Sequence, residues 1–267
     1  MPGSAPDPIT AFFDALADAP ERVLLLDYDG TLAPFRAERD AATPYEGVRE
    51  AIQALRASGR TRLVVVSGRS IDRLRPLLGV EPPPELWGTH GWEHLEPGRP
   101  VEARPLPPAA AAALGEAARG PAGAELGDRV EVKPASVAVH TRGLAPPDTA
   151  RMLAAVRAAW EPLASKAGLE LHAFDGGLEL RVQGWNKGDA VRAVLASVPP
   201  GAAVAYLGDD ATDEDAFRAL DEMAREGRIE GLTVLVRPVR RASAARVWLE
   251  PPDGLMDFLG RWRAAGG

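Results

Sequence analysis

The chain has 267 residues, of which 46% are hydrophobic and 26% charged, and its formal net charge is −7. That is enough chain for one large domain or a domain with an insert. The acidic balance argues against nucleic acid or an anionic membrane surface as main partner, since both select a basic face. The absence of cysteine excludes disulfides and thiolate metal sites. The stretch Met1-Pro2-Gly3-Ser4 has no basic start followed by a long apolar run, so no signal peptide is expected. No segment approaches the ~20 apolar residues of a membrane span, and the cytoplasm is the expected compartment.

Asp7-Pro8 is a helix-start signature, and Ile9, Phe12, Phe13 and Leu16 continue it at helical spacing up to Pro20. Val23 to Leu26 is a continuous apolar run of the kind that forms a parallel strand buried on both faces. It ends in Asp27-Tyr28-Asp29-Gly30-Thr31, where Gly30 lets the backbone turn. A loop through Thr43-Pro44 precedes a helix with Val48, Ala51, Ile52 and Leu55 on one face, closed by Gly59. Leu63 to Val66 is a second strand, followed by Ser67-Gly68-Arg69-Ser70 and a helix with Ile71, Leu74 and Leu78. Leu86-Trp87-Gly88 is a third. Strand, helix, strand, helix, strand implies a right-handed parallel sheet.

From Glu93 the pattern changes. Prolines at 97, 100, 105, 107 and 108 make a linker, and an alanine-rich helix over 109–119 follows. Val130 to Lys133 and Ser136 to Arg142 alternate as antiparallel strands with one solvent-facing side, which offers Glu131, Lys133 and His140. A helix with Met152, Leu153, Val156, Trp160 and Leu163 leads to a hairpin, Leu169 to Phe174 and Leu178 to Val182, across Asp175-Gly176-Gly177. The first style then returns. Lys187 opens a helix with Val191, Val194, Leu195 and Val198, followed by strand Val204 to Leu207, a helix from Thr212, strand Leu232 to Val236 and a helix with Leu255, Phe258, Leu259 and Trp262. The expected fold is a doubly wound α/β core, residues 1–92 and 183–267, with an α/β cap over 93–182.

Asp27 and Asp29 stand at the carboxyl end of the first strand, where open α/β sheets bind ligands; side chains two apart on extended chain face the same way. Taken alone, the stretch also reads as a strand followed by an Asp-Gly turn. Gly208-Asp209-Asp210, after a second apolar run, repeats the design, and two such edges can share one cation. Of the three lysines, Lys133, Lys166 and Lys187, the last sits at a helix amino terminus, an electrostatic mismatch of ~0.3–1 kcal/mol that points to function over helix stability. Ser67 is a phosphoryl donor or a plain turn residue. Thr212 with Asp213, Glu214 and Asp215 forms a helix cap that keeps Asp213 in a supporting role. Asp210 reads equally as a ligand or a solvated neighbour.

In order, Asp27-Tyr28-Asp29-Gly30-Thr31-Leu32, Ser67-Gly68-Arg69, Asn186-Lys187-Gly188 and Gly208-Asp209-Asp210-Ala211-Thr212-Asp213-Glu214-Asp215 resemble the haloacid dehalogenase superfamily of phosphotransferases. Together they look like the trehalose-6-phosphate phosphatases, and the likeness covers nearly the whole chain. It implies Asp27 as nucleophile, Asp29 as acid and then base, and Ser67 and Lys187 as stabilisers of the phosphoryl charge. Mg²⁺, which takes oxygen ligands, is assigned to Asp27, the Asp29 main-chain carbonyl and Asp209. Ser67, Gly68 and Arg69 fall on the phosphate-binding segment. His90 falls on the segment leading into the cap and is read as structural, since four histidines without metal spacing do not suggest zinc.

In the same family a cap Glu-x-Lys, a His-x-Arg and a later Glu bind sugar; here these are Glu131, Lys133, His140, Arg142 and Glu179. Thr141 replaces the usual aromatic and Val132 a frequent Asp. On residue chemistry alone Glu131 and Lys133 read as a surface ion pair. The expected substrate is a small-molecule sugar phosphate, trehalose 6-phosphate first. A phosphomutase of the same superfamily, which would need a sugar bisphosphate, and a receiver-type signalling module, which would lack a cap, are the competing readings.

Overall fold

The computed structural model describes residues 7–36, 39–120, 126–174 and 176–266; the terminal stretch 1–6 and Asp175 of the expected hairpin turn lie outside the described residues. The chain divides into two compact units, Met1–Val101 with Asn186–Gly267, and Glu102–Trp185. In chain order the first unit opens with α1 (Pro8–Asp18), β1 (Arg22–Leu26), α2 (Val48–Ala57), β2 (Arg62–Val66), α3 (Ile71–Leu78), β3 (Glu85–Gly88) and β4 (Glu93–Leu95). The second holds β5 (Glu102–Ala103), α4 (Pro108–Arg119), β6 (Val130–Lys133), β7 (Ser136–His140), α5 (Pro146–Ala167), β8 (Leu169–Phe174) and β9 (Gly177–Val182). The first resumes with α6 (Lys187–Leu195), β10 (Ala202–Gly208), α7 (Glu214–Arg225), β11 (Ile229–Val236), β12 (Val247–Leu249) and α8 (Asp253–Gly266). Among the described residues no helix is long and apolar enough to cross a membrane.

The strands of the first unit stand in the order β12-β11-β10-β1-β2-β3-β4. β1 lies between β10 and β2, parallel to both, with Leu24 level with Ala205 on one side and Leu63 on the other. A strand flanked on both sides and covered on both faces has no solvent face, which is why it reads as an unbroken apolar run. Leu24 and Leu26 join a cluster with Phe12 and Leu16 of α1, Ile52 of α2 and Phe258 and Trp262 of α8. On β10, Tyr206 meets Phe217 of α7 edge-on at 5.6 Å between ring centres. The core is therefore a doubly wound α/β layer, as expected. The chain runs outward from β1 to β2 on one side and from β10 to β11 on the other, so the β1/β10 boundary is the topological switch point.

Two three-residue strands escape the sequence pattern. Glu93, expected to begin the insert, begins β4, antiparallel to β3, and β12 extends the far edge in parallel with β11. The strand expected to reach Arg142 stops at His140, and the helix expected from Thr212 starts as a 3₁₀ turn, Ala211–Asp213, before α7. α6 begins as its residues dictate: the Asn186 side chain accepts the Gly188 and Asp189 N–H groups while Asp189 accepts the Asn186 N–H.

At the amino end of β3 the buried Glu85 accepts Arg62 Nε and Nη2 (2.9 and 3.2 Å), Trp87 Nε1 (3.0 Å) and His94 Nε2 (3.0 Å). Burial alone would raise its carboxyl, but His94 and Arg62 together hold it down at about 2. A lowered carboxylate stabilises the fold above the unfolded value near 4.5, and this contribution is lost as pH falls from there towards 2. Glu85→Gln is expected to remove on the order of 3 kcal/mol at pH 7, from about 1.4 kcal/mol per unit. The gap to wild type should narrow by pH 3, as read by urea denaturation at the two pH values.

In the second unit β6, β7, β9 and β8 form an antiparallel sheet in that order. Val137, Val139, Leu178 and Leu180 are buried, as are Val156 and Trp160 of α5. The opposite face corrects the sequence reading. Glu131 and Lys133 are not a solvent-exposed pair: their side chains are 11% and 8% exposed, whereas Val132 between them is 67% exposed. Lys133 Nζ lies 2.8 Å from Glu179 on the neighbouring part of the sheet and 4.0 Å from Glu131.

Candidate active site

Asp27 follows β1 and Asp209 follows β10, so the switch point sets two carboxylates side by side; the Asp27 N–H bonds to the Leu207 carbonyl at 2.8 Å. Gly30 turns with φ +89°, and a Cβ there would collide with the Asp209 carboxylate. This is a position where only glycine serves. Lys187, at the start of α6, reaches back between acids. Its Nζ donates to Asp27 Oδ1 at 2.6 Å and to Asp213 Oδ1 at 2.7 Å, and its side chain is 3% exposed.

Carboxylate oxygens of Asp27, Asp209 and Asp213 all lie within 4.8 Å of one another. Asp213 is saturated by donors: besides Lys187 it accepts the Tyr206 hydroxyl at 2.6 Å and the N–H groups of Asp209 (3.0 Å) and Asp210 (3.1 Å). Asp27 Oδ2, by contrast, is buried with no hydrogen-bond partner. Three carboxylates around one ammonium leave negative charge in excess. Burial first, then the neighbouring acids, push the Asp27 and Asp209 carboxyls well above the usual range, against the pull of Lys187. For Lys187 itself burial works to lower the ammonium, but Asp213 and Asp27 outweigh it and hold it well above its ordinary value. Both directions follow from the same excess of negative charge. A buried, orphaned carboxylate oxygen among hard oxygen donors fits a small dication such as Mg²⁺.

Asp29 faces a different partner. Its carboxylate takes the fork of Arg69, Nε and Nη2 each at 2.7 Å, and so lies outside the three-acid group. Arg69, expected on the phosphate-binding segment, is the partner of that acid. Ser67 follows β2, whose register with β1 pairs Leu26 with Val65 and so brings the Ser67 segment beside Asp27 and Tyr28. Ser67 Oγ accepts the Arg69 N–H at 3.1 Å, which leaves its hydroxyl proton to donate elsewhere. Asp210 caps the 3₁₀ turn by accepting the Thr212 N–H (2.7 Å) and hydroxyl (2.6 Å). Burial would raise its carboxyl, but Lys187, Thr212 and His90 bring it below the usual value.

Tyr206, Arg237 and Arg241 were missed by sequence reasoning. Arg237 Nη1 and Arg241 Nη2 donate to the Asp209 and Asp210 carbonyls at 3.1 and 2.7 Å. The signal for Tyr206 was a lone hydroxyl inside an apolar strand, which needs a buried acceptor.

In the second unit, Lys133 Nζ and Ser136 Oγ donate to Glu179 Oε1 at 2.8 and 2.7 Å, and His140 Nε2 lies 3.0 Å from Glu131 Oε2. Four of the five residues expected at a sugar are thus joined on one face, since Lys133 also stands 4.0 Å from Glu131. Arg142 runs along Gly176, and its carbonyl accepts Arg129 at 3.1 Å.

A family profile described as trehalose-phosphatase matches residues 25–252. A trehalose-phosphate phosphatase of Mycobacterium marinum (strain ATCC BAA-535 / M) is 33% identical over 255 residues, covering 91% of this chain and 61% of that one. The chain thus spans less than two thirds of the length of the curated relatives it matches. The C-terminal domain of C. albicans trehalose-6-phosphate phosphatase superposes with TM-score 0.83 at 20% identity over 96% of both chains. A haloacid dehalogenase-like hydrolase from Bacteroides thetaiotaomicron does so with TM-score 0.61 at 20% identity, over 90% of this chain and 99% of that one. At such identities these likenesses speak to the fold, which is haloacid dehalogenase-like. With the profile spanning both the β1 acids and the β10 acids, this chain belongs to the trehalose-phosphatase family.

Proposed function

We propose that the chain hydrolyses trehalose 6-phosphate to trehalose and phosphate, with Mg²⁺ and through a phosphoryl group carried on Asp27. The observation that carries this reading is the Asp27 carboxylate, held at Oδ1 by Lys187 and left without a partner at Oδ2 in a buried, acid-rich site. The Asp27 carboxylate attacks phosphorus in line, and the bond from phosphorus to the sugar oxygen breaks. Asp29 gives that oxygen a proton, then takes one from the water that cleaves the acyl phosphate. The Arg69 fork orients the Asp29 carboxyl group through both of its oxygens.

Ser67 donates to a phosphoryl oxygen, and Lys187 offsets charge on the phosphoryl group and Asp27. Asp27, Asp209 and the Asp29 carbonyl would hold Mg²⁺, which would neutralise charge on the transferring group. Asp213, its oxygens already engaged, positions Lys187 and the chain after β10. Glu131, Lys133, His140, Arg142 and Glu179 of the second unit, read as the cap, bind the sugar. The cytoplasm is the compartment this reading assigns.

Phosphate release is expected to stop in excess chelator and return with Mg²⁺; undiminished release would contradict the assignment. Alanine at Glu131, Lys133 or Glu179 should lower kcat/KM for trehalose 6-phosphate about ten- to a hundredfold per residue, the worth of ~1.5–3 kcal/mol for a hydrogen bond to a charged group. Hydrolysis of p-nitrophenyl phosphate, which has no sugar, should change little. Equal losses on both substrates would refute a sugar-binding role.

A further inference from the structure

Thr89 and His90 both occupy the left-handed region, with φ of 48° and 56°. Two such residues in succession, one of them β-branched, hold an unfavourable conformation, which persists only where the surroundings enforce it. Those surroundings are the Ser67-Gly68-Arg69 segment and Glu93. The His90 N–H donates to the Ser67 carbonyl at 2.9 Å, and the Thr89 N–H to the Arg69 carbonyl at 2.7 Å, so the turn grips the segment at both ends. The buried Glu93 accepts the Thr89 hydroxyl at 2.7 Å and the Ile71 N–H at 3.3 Å, tying the turn to the start of α3. The imidazole lies directly on Gly68: a Cβ at that position would stand 2.7 Å from His90 Cε1 and 2.9 Å from Nε2. Gly88 is as tight, a Cβ there lying 2.9 Å from Ile71 N and 3.0 Å from the Arg69 carbonyl.

We infer that His90 is a positioning residue: the strained Thr89-His90 turn sets the imidazole as a floor under Gly68, fixing the Ser67 hydroxyl and Gly68 N–H where they meet the phosphoryl oxygens. The inference rests on the phosphate-binding role proposed for Ser67 and Gly68. It explains why two residues are kept in an unfavourable backbone region beside a segment that must be rigid. It also explains why position 68 has no side chain.

The test uses the full chain with Mg²⁺, inorganic phosphate as competitive inhibitor and p-nitrophenyl phosphate as substrate. His90→Asn keeps a residue at home in the left-handed region but removes the ring. It is expected to raise Ki for phosphate and KM about tenfold, with kcat within about threefold. His90→Phe, which keeps a flat ring on Gly68, should stay within about threefold of wild type in Ki. A wild-type Ki in H90N, or a tenfold rise in H90F, overturns the inference, and H90F decides the matter if H90N fails to fold. Ser67→Ala separates the two levels: if it leaves Ki unchanged, the phosphate-loop reading itself fails, whereas a raised Ki in S67A beside a normal one in H90N removes His90 alone.

Discussion

Asp27→Asn is expected to abolish turnover, by more than about 10³-fold, while leaving the protein no less stable than wild type. The amide has the volume of the carboxylate but is a far weaker nucleophile and cation ligand. Stability should not suffer, because the site holds three carboxylates against one ammonium and the Asp27 carboxyl is already pushed up by burial and by Asp213. Neutralising one of three crowded acids relieves repulsion. Without metal, Tm of the variant should equal or exceed that of wild type. Mg²⁺ should raise the wild-type Tm, since a ligand at a hundred times its Kd adds ~2.7 kcal/mol, and raise that of D27N less. A variant that keeps more than a few per cent of activity would sink the nucleophile assignment.

Lys187→Met should move stability the other way. The substitution removes the one side-chain cation bonded to both Asp27 and Asp213 and leaves their carboxylates buried against each other. Breaking a buried ion pair from one side costs about 3–5 kcal/mol. Turnover should fall with it, because phosphoryl charge loses its fixed partner. Urea denaturation in chelator reads the contrast: K187M well below wild type, D27N at or above it. A K187M protein as stable as wild type would mean that the ammonium is not what balances these acids.

The sheet was legible where burial on two faces leaves an unbroken apolar run, as at Leu24 to Leu26 and Val204 to Leu207. Asp27, Asp209 and Lys187 stood out because charged residues ended those runs or opened a helix against its dipole. β4 and β12 were not legible, since three residues carry no period. Glu131 and Lys133 were placed on a solvent face because alternation shows which residues share a side but not which side is covered, and the Lys133–Glu179 pair joins residues far apart in sequence. Asp29 was expected to point with Asp27 on the assumption of extended chain. Gly30 already bonds to the Ala33 carbonyl at 2.7 Å, so the backbone is turning there, and Arg69 claims the carboxylate. The left-handed pair at Thr89 and His90 had no compositional sign, since neither residue is a glycine.

The place of β1 also bears on how the chain is made. Its neighbours are β2, which follows closely, and β10, whose residues lie beyond the whole of the second unit. During synthesis the ribosome delivers every strand of that unit before Ala202–Gly208 exists, so β1, the strand leading into Asp27, spends that interval with one apolar edge unpaired. Until β10 arrives there is neither an Asp209 nor a Lys187–Asp213 pair to complete the acid site. The nascent chain therefore completes its acid site only after the whole of the second unit has been made, and the exposed β1 edge is the surface a chaperone would have to shield until then.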